Sequence, residues 1–357
     1  MKNKLIAFAA TATLLVASCK KDETPTTPVA DFNTLKTSVI KDFANNIAVT
    51  TYNDLNNAAI KLNTSILALN TNATEANLTI AKNDWKNMRA IWEQSEGFLF
   101  GPVADNDYDP KMDTWPTDFN EMEMLLASSN ALSVSDIEAL PLTLRGYHPL
   151  EYILFGESGS RPANNITTRQ KKYMVSLSAD LKNTCQSLYT AWTGSENYTA
   201  EVVNAGGTGT VYKTKQELYI ALVDGMAGIC DEVGGGKIND PYVAFDSSIV
   251  ESPYSGTSMI DFKYNIIGLQ NVYLGKYGAT QGNGIKDLVA LKNKALDNKI
   301  QQQISSAIAA INNVTVPFEM AIFDQRVQTK AAMDALSTLQ TTLEDELKPF
   351  LVQYITD

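Results

Sequence analysis

The sequence is poor in metal-binding nitrogen and sulfur: His148 is the only histidine among 357 residues, and there are three cysteines. One imidazole cannot build a two-histidine zinc site, and no HExxH occurs. Any metal shell would therefore be rich in oxygen, which favours iron or another hard cation over structural zinc. Basic residues are also in deficit, 29 against 40 acidic ones for a net charge of −11. No basic stripe is left to neutralise phosphates, which argues against a nucleic-acid partner. No GxSxG elbow appears, no run alternates at period two, and no apolar run is long enough to span a bilayer.

What remains is the composition of an ordinary globular protein, 44% hydrophobic and 19% charged, long enough for two cores. At the N-terminus, Lys2 and Lys4 precede a short apolar stretch over residues 5–17 that ends in LVASC. This resembles a bacterial lipobox, which makes Cys19 the lipidated first residue of the mature chain, anchored by acyl chains. Lys21-Asp22-Glu23 resembles a signal for the outer cell surface. The expected location is thus the outer membrane, with residues 1–18 removed and residues 19–30, polar and proline-rich, serving as a tether. The other two cysteines, Cys185 and Cys230, fall on helices; pairing and burial as free thiols both stay open.

Apolar residues at helical spacing recur along the chain. They predict helices over 32–69, 78–96, 119–126, 133–144, 167–192, 213–233, 259–274, 285–314, 316–325 and 329–354, with a further one through 146–156. The expected class is all-α, two helical bundles side by side, dividing near the loop GESGSRPANN at residues 156–165. GGGK at residues 234–237 lacks the spacing of a phosphate loop and reads as a helix stop. DNDYDPKMD at residues 105–113 spaces carboxylates like a calcium loop, but Pro110 stands where a glycine must turn and Pro116 where the closing glutamate belongs.

Several polar residues sit on apolar faces. Arg89 and Glu96 share a helix face with Trp85 and Trp92, so both are expected to be buried and paired or to hold a ligand. Asp261 and Asn265 repeat this, with Gly268 on the same face permitting a close helix crossing. In GYHPLEYILFG, residues 146–156, Pro149 disfavours helical geometry at His148. A helix starting at Pro149 would make His148 its N-cap and Glu151 its N3 residue, a capping box. Metal binding is the alternative, with Glu96 or an acid near Trp115 completing the shell.

GYHPLEYILFG resembles the GxHxxE segment of the imelysin-like family, and the likeness extends in order from about residue 31 to the C-terminus. DWKNMRAIWEQSEGFLFGP, DTWP with Asp118, ESPYSGTSMIDFKYNIIGLQNVYLG and VPFEMAIFD are similar to its other segments. Pro149 departs from the family, which usually has a small helix former there. The resemblance implies two helical bundles, residues 31–160 and 161–357, with the histidine motif near their junction. It also implies an envelope protein of iron acquisition or regulation. Together these give a lipoprotein that binds iron or an iron-bearing ligand, with iron or haem uptake components as partners. The expected metal residues are His148, Glu151, Glu96 and Asp118, with Arg89, Ser255 and Asp261 contacting ligand in one polar cavity. Two rivals stand beside it: a metallopeptidase, as some members have been classed, and a structural envelope protein whose polar groups satisfy one another.

Overall fold

A computed structural model describes residues 31–356. The expected signal segment, Cys19 and the tether lie outside the described residues. Among those that are described, helices dominate, and one two-residue hairpin, Lys276–Tyr277 against Thr280–Gln281, is the only strand pair. The all-α expectation is met. No described helix is long and apolar enough to cross a membrane.

The first group is built on Val49–Thr71 and Glu75–Glu93, which pack against each other. The Thr74 side chain caps the second of these by accepting the Asn77 N–H at 3.2 Å. Glu75–Glu93, the Arg89 helix, buries Leu78, Ala81, Trp85, Met88, Arg89 and Trp92. That is the i, i+3, i+4, i+7 spacing of one face. Thr168–Thr193, opened by a Thr167–Gln170 capping box, packs on Val49–Thr71. The chain thus returns to the first group after the loop at residues 156–165. Arg145 fastens this helix by three hydrogen bonds to Asp180, at 2.8, 3.0 and 3.1 Å.

In the second group Lys294–Asn312 and Lys215–Asp231 both pack against Arg326–Thr342. Ser258–Leu274, the Asp261 helix, joins the groups by touching both Lys294–Asn312 and the Arg89 helix. Gly268 permits that approach, since a Cβ there would run into the Gln94 carbonyl. Gly225 does the same for Lys215–Asp231 against the turn after the Arg89 helix, where a Cβ would meet the Gly97 carbonyl. The close crossing expected from Gly268 is therefore present.

Three local expectations need correction. GGGK does not stop its helix: Glu232–Ile238 is a π-helical turn that runs on into Asn239–Ala244. Glycines without side chains allow the widened turn, and Gly234 seats it against Leu336. The helix expected over 285–314 breaks at Asn293, whose side chain accepts the Leu296 N–H at 3.1 Å and starts Lys294–Asn312. Loops expected near residues 101–116 and 193–210 contain the short helices Tyr108–Asp113 and Tyr198–Val203.

Candidate metal centre

The helix Tyr147–Phe155 starts two residues earlier than a capping box requires. Its N-cap is Gly146, at φ 80°, where a Cβ would collide with the Met112 carbonyl. His148 is therefore inside the first turn, where the absent N–H of Pro149 costs nothing. Glu151 reaches away from the His148 backbone and accepts the Ser255 N–H at 2.7 Å instead. The capping-box alternative fails on this geometry.

His148 is 0% exposed. Its Nε2 lies 3.0 Å from Asp113 Oδ1 and 3.6 Å from Glu251 Oε1, and its Nδ1 lies 3.5 Å from Glu151 Oε2. The ring packs edge-on to Trp115 at 4.9 Å between centroids. Distance alone does not make these hydrogen bonds: neither ring nitrogen meets a partner at usable geometry, and Glu151 Oε2 is likewise without one. Burial alone would lower the imidazole pKa, but the surrounding acids Asp113, Glu151 and Glu251 hold it well above its usual value.

Arg89, also fully buried, is the central cation. It pairs with Glu93 and Asp113, lies 3.2 Å from Glu251 and 3.8 Å from Asp261, and stacks 5.0 Å from the Tyr147 ring centroid. The second Asp113 oxygen accepts the Trp92 indole N–H at 2.6 Å. Burial opposes ionisation of Asp113, yet Arg89 and then His148 hold its carboxyl well below the usual range.

On the other flank stands Glu96, in a 3₁₀ turn just past the Arg89 helix. The Asn265 amide donates to Glu96 at 2.5 Å and to Glu93 at 2.6 Å, while its own carbonyl oxygen finds no partner. Lys237 comes from the π-helical turn to lie 3.1 Å from Glu232 and 3.3 Å from both Glu96 and Glu251. Burial drives Glu93 up to about 8 and Asp261 to about 6, and it raises Glu96 well above the carboxylate range. Glu251 moves the opposite way, to about 2, because Lys237 and then His148 outweigh its burial.

Six buried carboxyls thus face two permanent cations and one histidine. Two sets of donors each converge within 4.8 Å: Asp113, His148 and Glu251, and Glu93, Glu96 and Asp113. Asp113 belongs to both. A cleft of about 550 Å³ reaches them, lined among others by Asp109, Trp115, Lys237 and Glu251. The donor set suits a hard cation, with one imidazole nitrogen among carboxylate oxygens. The orphaned ring nitrogens are groups such a cation would satisfy.

Of the residues singled out in the sequence, His148, Glu151, Glu96, Arg89 and Asp261 are brought together, with Ser255 bonded to Glu151. Asp118 is not. It caps the helix Phe119–Ala127 by accepting the Glu121 N–H at 2.9 Å, and Asp113 takes the place assigned to it. Glu93, Glu251 and Lys237 were missed. Glu93 carried a signal, lying one turn after Arg89 on the same face; Glu251 and Lys237 arrive from a loop and a turn that no local pattern marks. Cys185 and Cys230 are both buried free thiols, and burial raises both pKa values.

The family model described as imelysin, peptidase M75, matches residues 48–348. A protein described as iron-regulated protein A, from Synechococcus elongatus, is 26% identical over 319 residues, covering 87% of this chain and 86% of that one. The crystal structure of an iron-regulated protein A precursor from Parabacteroides distasonis superposes with a TM-score of 0.81 at 26% identity. It covers 92% of this chain and 100% of its own. An imelysin-like protein from Psychrobacter arcticum shares the fold, with a TM-score of 0.73 at 13% identity over 90% of this chain and 97% of its own.

Proposed function

This chain belongs to the imelysin family, and from that premise we propose that it binds iron at the buried histidine–carboxylate cluster as a lipid-anchored envelope protein. The observation that carries the proposal is His148: a fully buried ring whose two nitrogens lack hydrogen-bond partners while Asp113, Glu151 and Glu251 surround it. A buried nitrogen lone pair or carboxylate oxygen left without a partner is costly, and a cation that displaces the ring proton would bind both. His148, Asp113 and Glu251 would hold the ion, with Glu151 behind the ring and Glu96 and Glu93 as the alternative carboxylate set.

The iron assignment draws on the oxygen-rich donor set and on the naming of two relatives as iron-regulated. Binding is favoured over peptide cleavage because Arg89 and Lys237 already engage the carboxylates that would otherwise activate water. Cys19 would place the site at the outer membrane or cell surface, where iron or haem uptake components are the expected partners.

Titration calorimetry of metal-free protein with ferrous iron under anaerobic conditions, and with a soluble ferric chelate in air, tests the proposal. Stoichiometric binding that His148→Ala weakens at least tenfold is the expected result. Absence of binding by the unaltered protein, or equal binding by the variant, would refute it.

A further inference from the structure

The loop that satisfies Glu151 also walls a second cavity, of about 690 Å³, that the cation cluster does not use. Its volume lies in the range of small-molecule sites. Lys82 and Lys86, one turn apart on the Arg89 helix, form one side, with Ser160, Ser255 and Gly256 on the facing loops. The two ammonium groups lie over the same ring, 5.1 and 5.3 Å from the centroid of Phe155.

Neither lysine has a carboxylate partner among the described residues. Lys86 donates to the Ser255 carbonyl at 3.0 Å, and Lys82 reaches the Gly159 carbonyl only at 3.5 Å. Each ammonium has three donors, so each keeps donors that no described protein group takes up. In a chain with 40 acidic residues against 29 basic ones, two half-buried lysines that form no ion pair among the described residues stand out. Lys237 shows the contrast, for it has three acids around it. Burial lowers the pKa of Lys82, and the charges of Lys86 and Arg161 push the same way against Glu75.

Two acids, Glu157 and Glu319, also line the cavity. Glu157 is exposed to solvent, where water screens its charge, and burial raises the pKa of Glu319. Their repulsion of an anion is therefore less than two full charges would give. Open space at the rim is available, since nothing lies within 4 Å of where a Gly256 side chain would begin.

We propose that this cavity binds an oxyanionic ligand, carrying carboxylate or phosphate groups, through Lys82 and Lys86. Such a ligand would complete the hydrogen bonding of both ammonium groups and relieve their mutual repulsion. Because Ser255 lines the cavity and donates to Glu151, the anion would sit directly behind the candidate cation centre. The proposal does not depend on that centre being occupied.

The test is calorimetric titration of chelator-treated full-length protein at low salt with citrate and, separately, inorganic phosphate. The comparison protein is the double variant Lys82→Met, Lys86→Met, in which the aliphatic stems still cover Phe155. One-site binding that falls at least tenfold in the double variant, and that persists in His148→Ala, is the expected outcome. Citrate binding alone would identify a polycarboxylate site, and phosphate binding alone a phosphate site. Lys82→Arg with Lys86→Arg should keep the binding, and circular dichroism melting checks that every variant is folded. Absence of saturation by both probes, equal binding by a folded methionine variant, or loss of binding in His148→Ala would each overturn the proposal.

Discussion

His148 is held by charges that balance only while protons stay in the cluster. Burial and neighbouring acids raise Glu93 to about 8 and Asp261 to about 6, and Glu96 moves the same way. A carboxyl whose folded pKa lies above its unfolded value binds its proton more tightly when folded. Its stabilising share is complete below the unfolded value and disappears as pH rises through the folded one. For Glu93 that window runs from the ordinary 4.5 to about 8. His148, also raised, acts in the same direction. Metal-free protein should therefore lose thermal stability between pH 5 and 8, and Glu93→Gln should flatten that slope in scanning calorimetry. An unchanged slope in the variant would contradict the assignment. Glu251 runs oppositely, with stability present above its ordinary 4.5 and lost as pH falls toward about 2. Replacing His148 by alanine should also lower the stability of metal-free protein, by about 3–5 kcal/mol, because it removes the imidazolium charge beside the buried Asp113 and Glu251 carboxyls, even though no hydrogen bond is lost. Urea denaturation measures this; a variant as stable as its parent would show that the ring is not paired in solution.

At this scale the sequence was partly readable. A lone histidine three residues before a glutamate, amid apolar residues, marked itself, as did Arg89 between two tryptophans. Asp113 was reached only as an acid near Trp115, and Glu251 was not reached, because each lies at the end of a short helix or within a loop where no periodicity reports burial. Asp118 drew attention only by proximity to the Trp-Pro turn, and its carboxylate is spent on a helix cap.

Among the elements, the Arg89 and Asp261 helices matter most, because their crossing places Asn265 between Glu93 and Glu96. Gly268→Ala would force a Cβ into the Gln94 carbonyl and separate them. The expected cost is about 1–3 kcal/mol, read as a lower urea midpoint together with weaker iron binding. An alanine variant as stable as the parent would mean the crossing is looser than described. The π-helical turn Glu232–Ile238 has a different task, carrying Lys237 to the acids. Its ammonium competes with any cation at Glu251, so Lys237→Met should raise iron affinity by roughly tenfold, as measured by calorimetry. Reduced affinity would make Lys237 a support of the site and not a competitor. Amphipathic stripes made the helices legible, since burial of one face is what the pattern encodes. The π turn and the break at Asn293 were not legible, because each is decided by packing or capping after the helices have met.

For the molecule as a whole, the proposed anchor at Cys19 would decide where it works. If Cys19 is lipidated, Cys19→Ser should move the protein from the membrane fraction to the soluble one, followed by immunoblotting. A variant that stays in the membrane fraction would remove the anchor from the account. Helices were visible along the whole chain, but the return of Thr168–Thr193 to Val49–Thr71, across the boundary expected at residues 156–165, was not. Loop composition marks where a chain turns and says nothing of which face it turns back to.

The central claim is that His148, Asp113 and Glu251 hold an iron ion, and it can be located directly. Crystals of the protein grown with iron should be measured on both sides of the iron absorption edge. The account predicts one anomalous peak bounded by those three side chains, absent below the edge and lost in His148→Ala. No peak at the cluster, or iron found only at surface carboxylates, would contradict it.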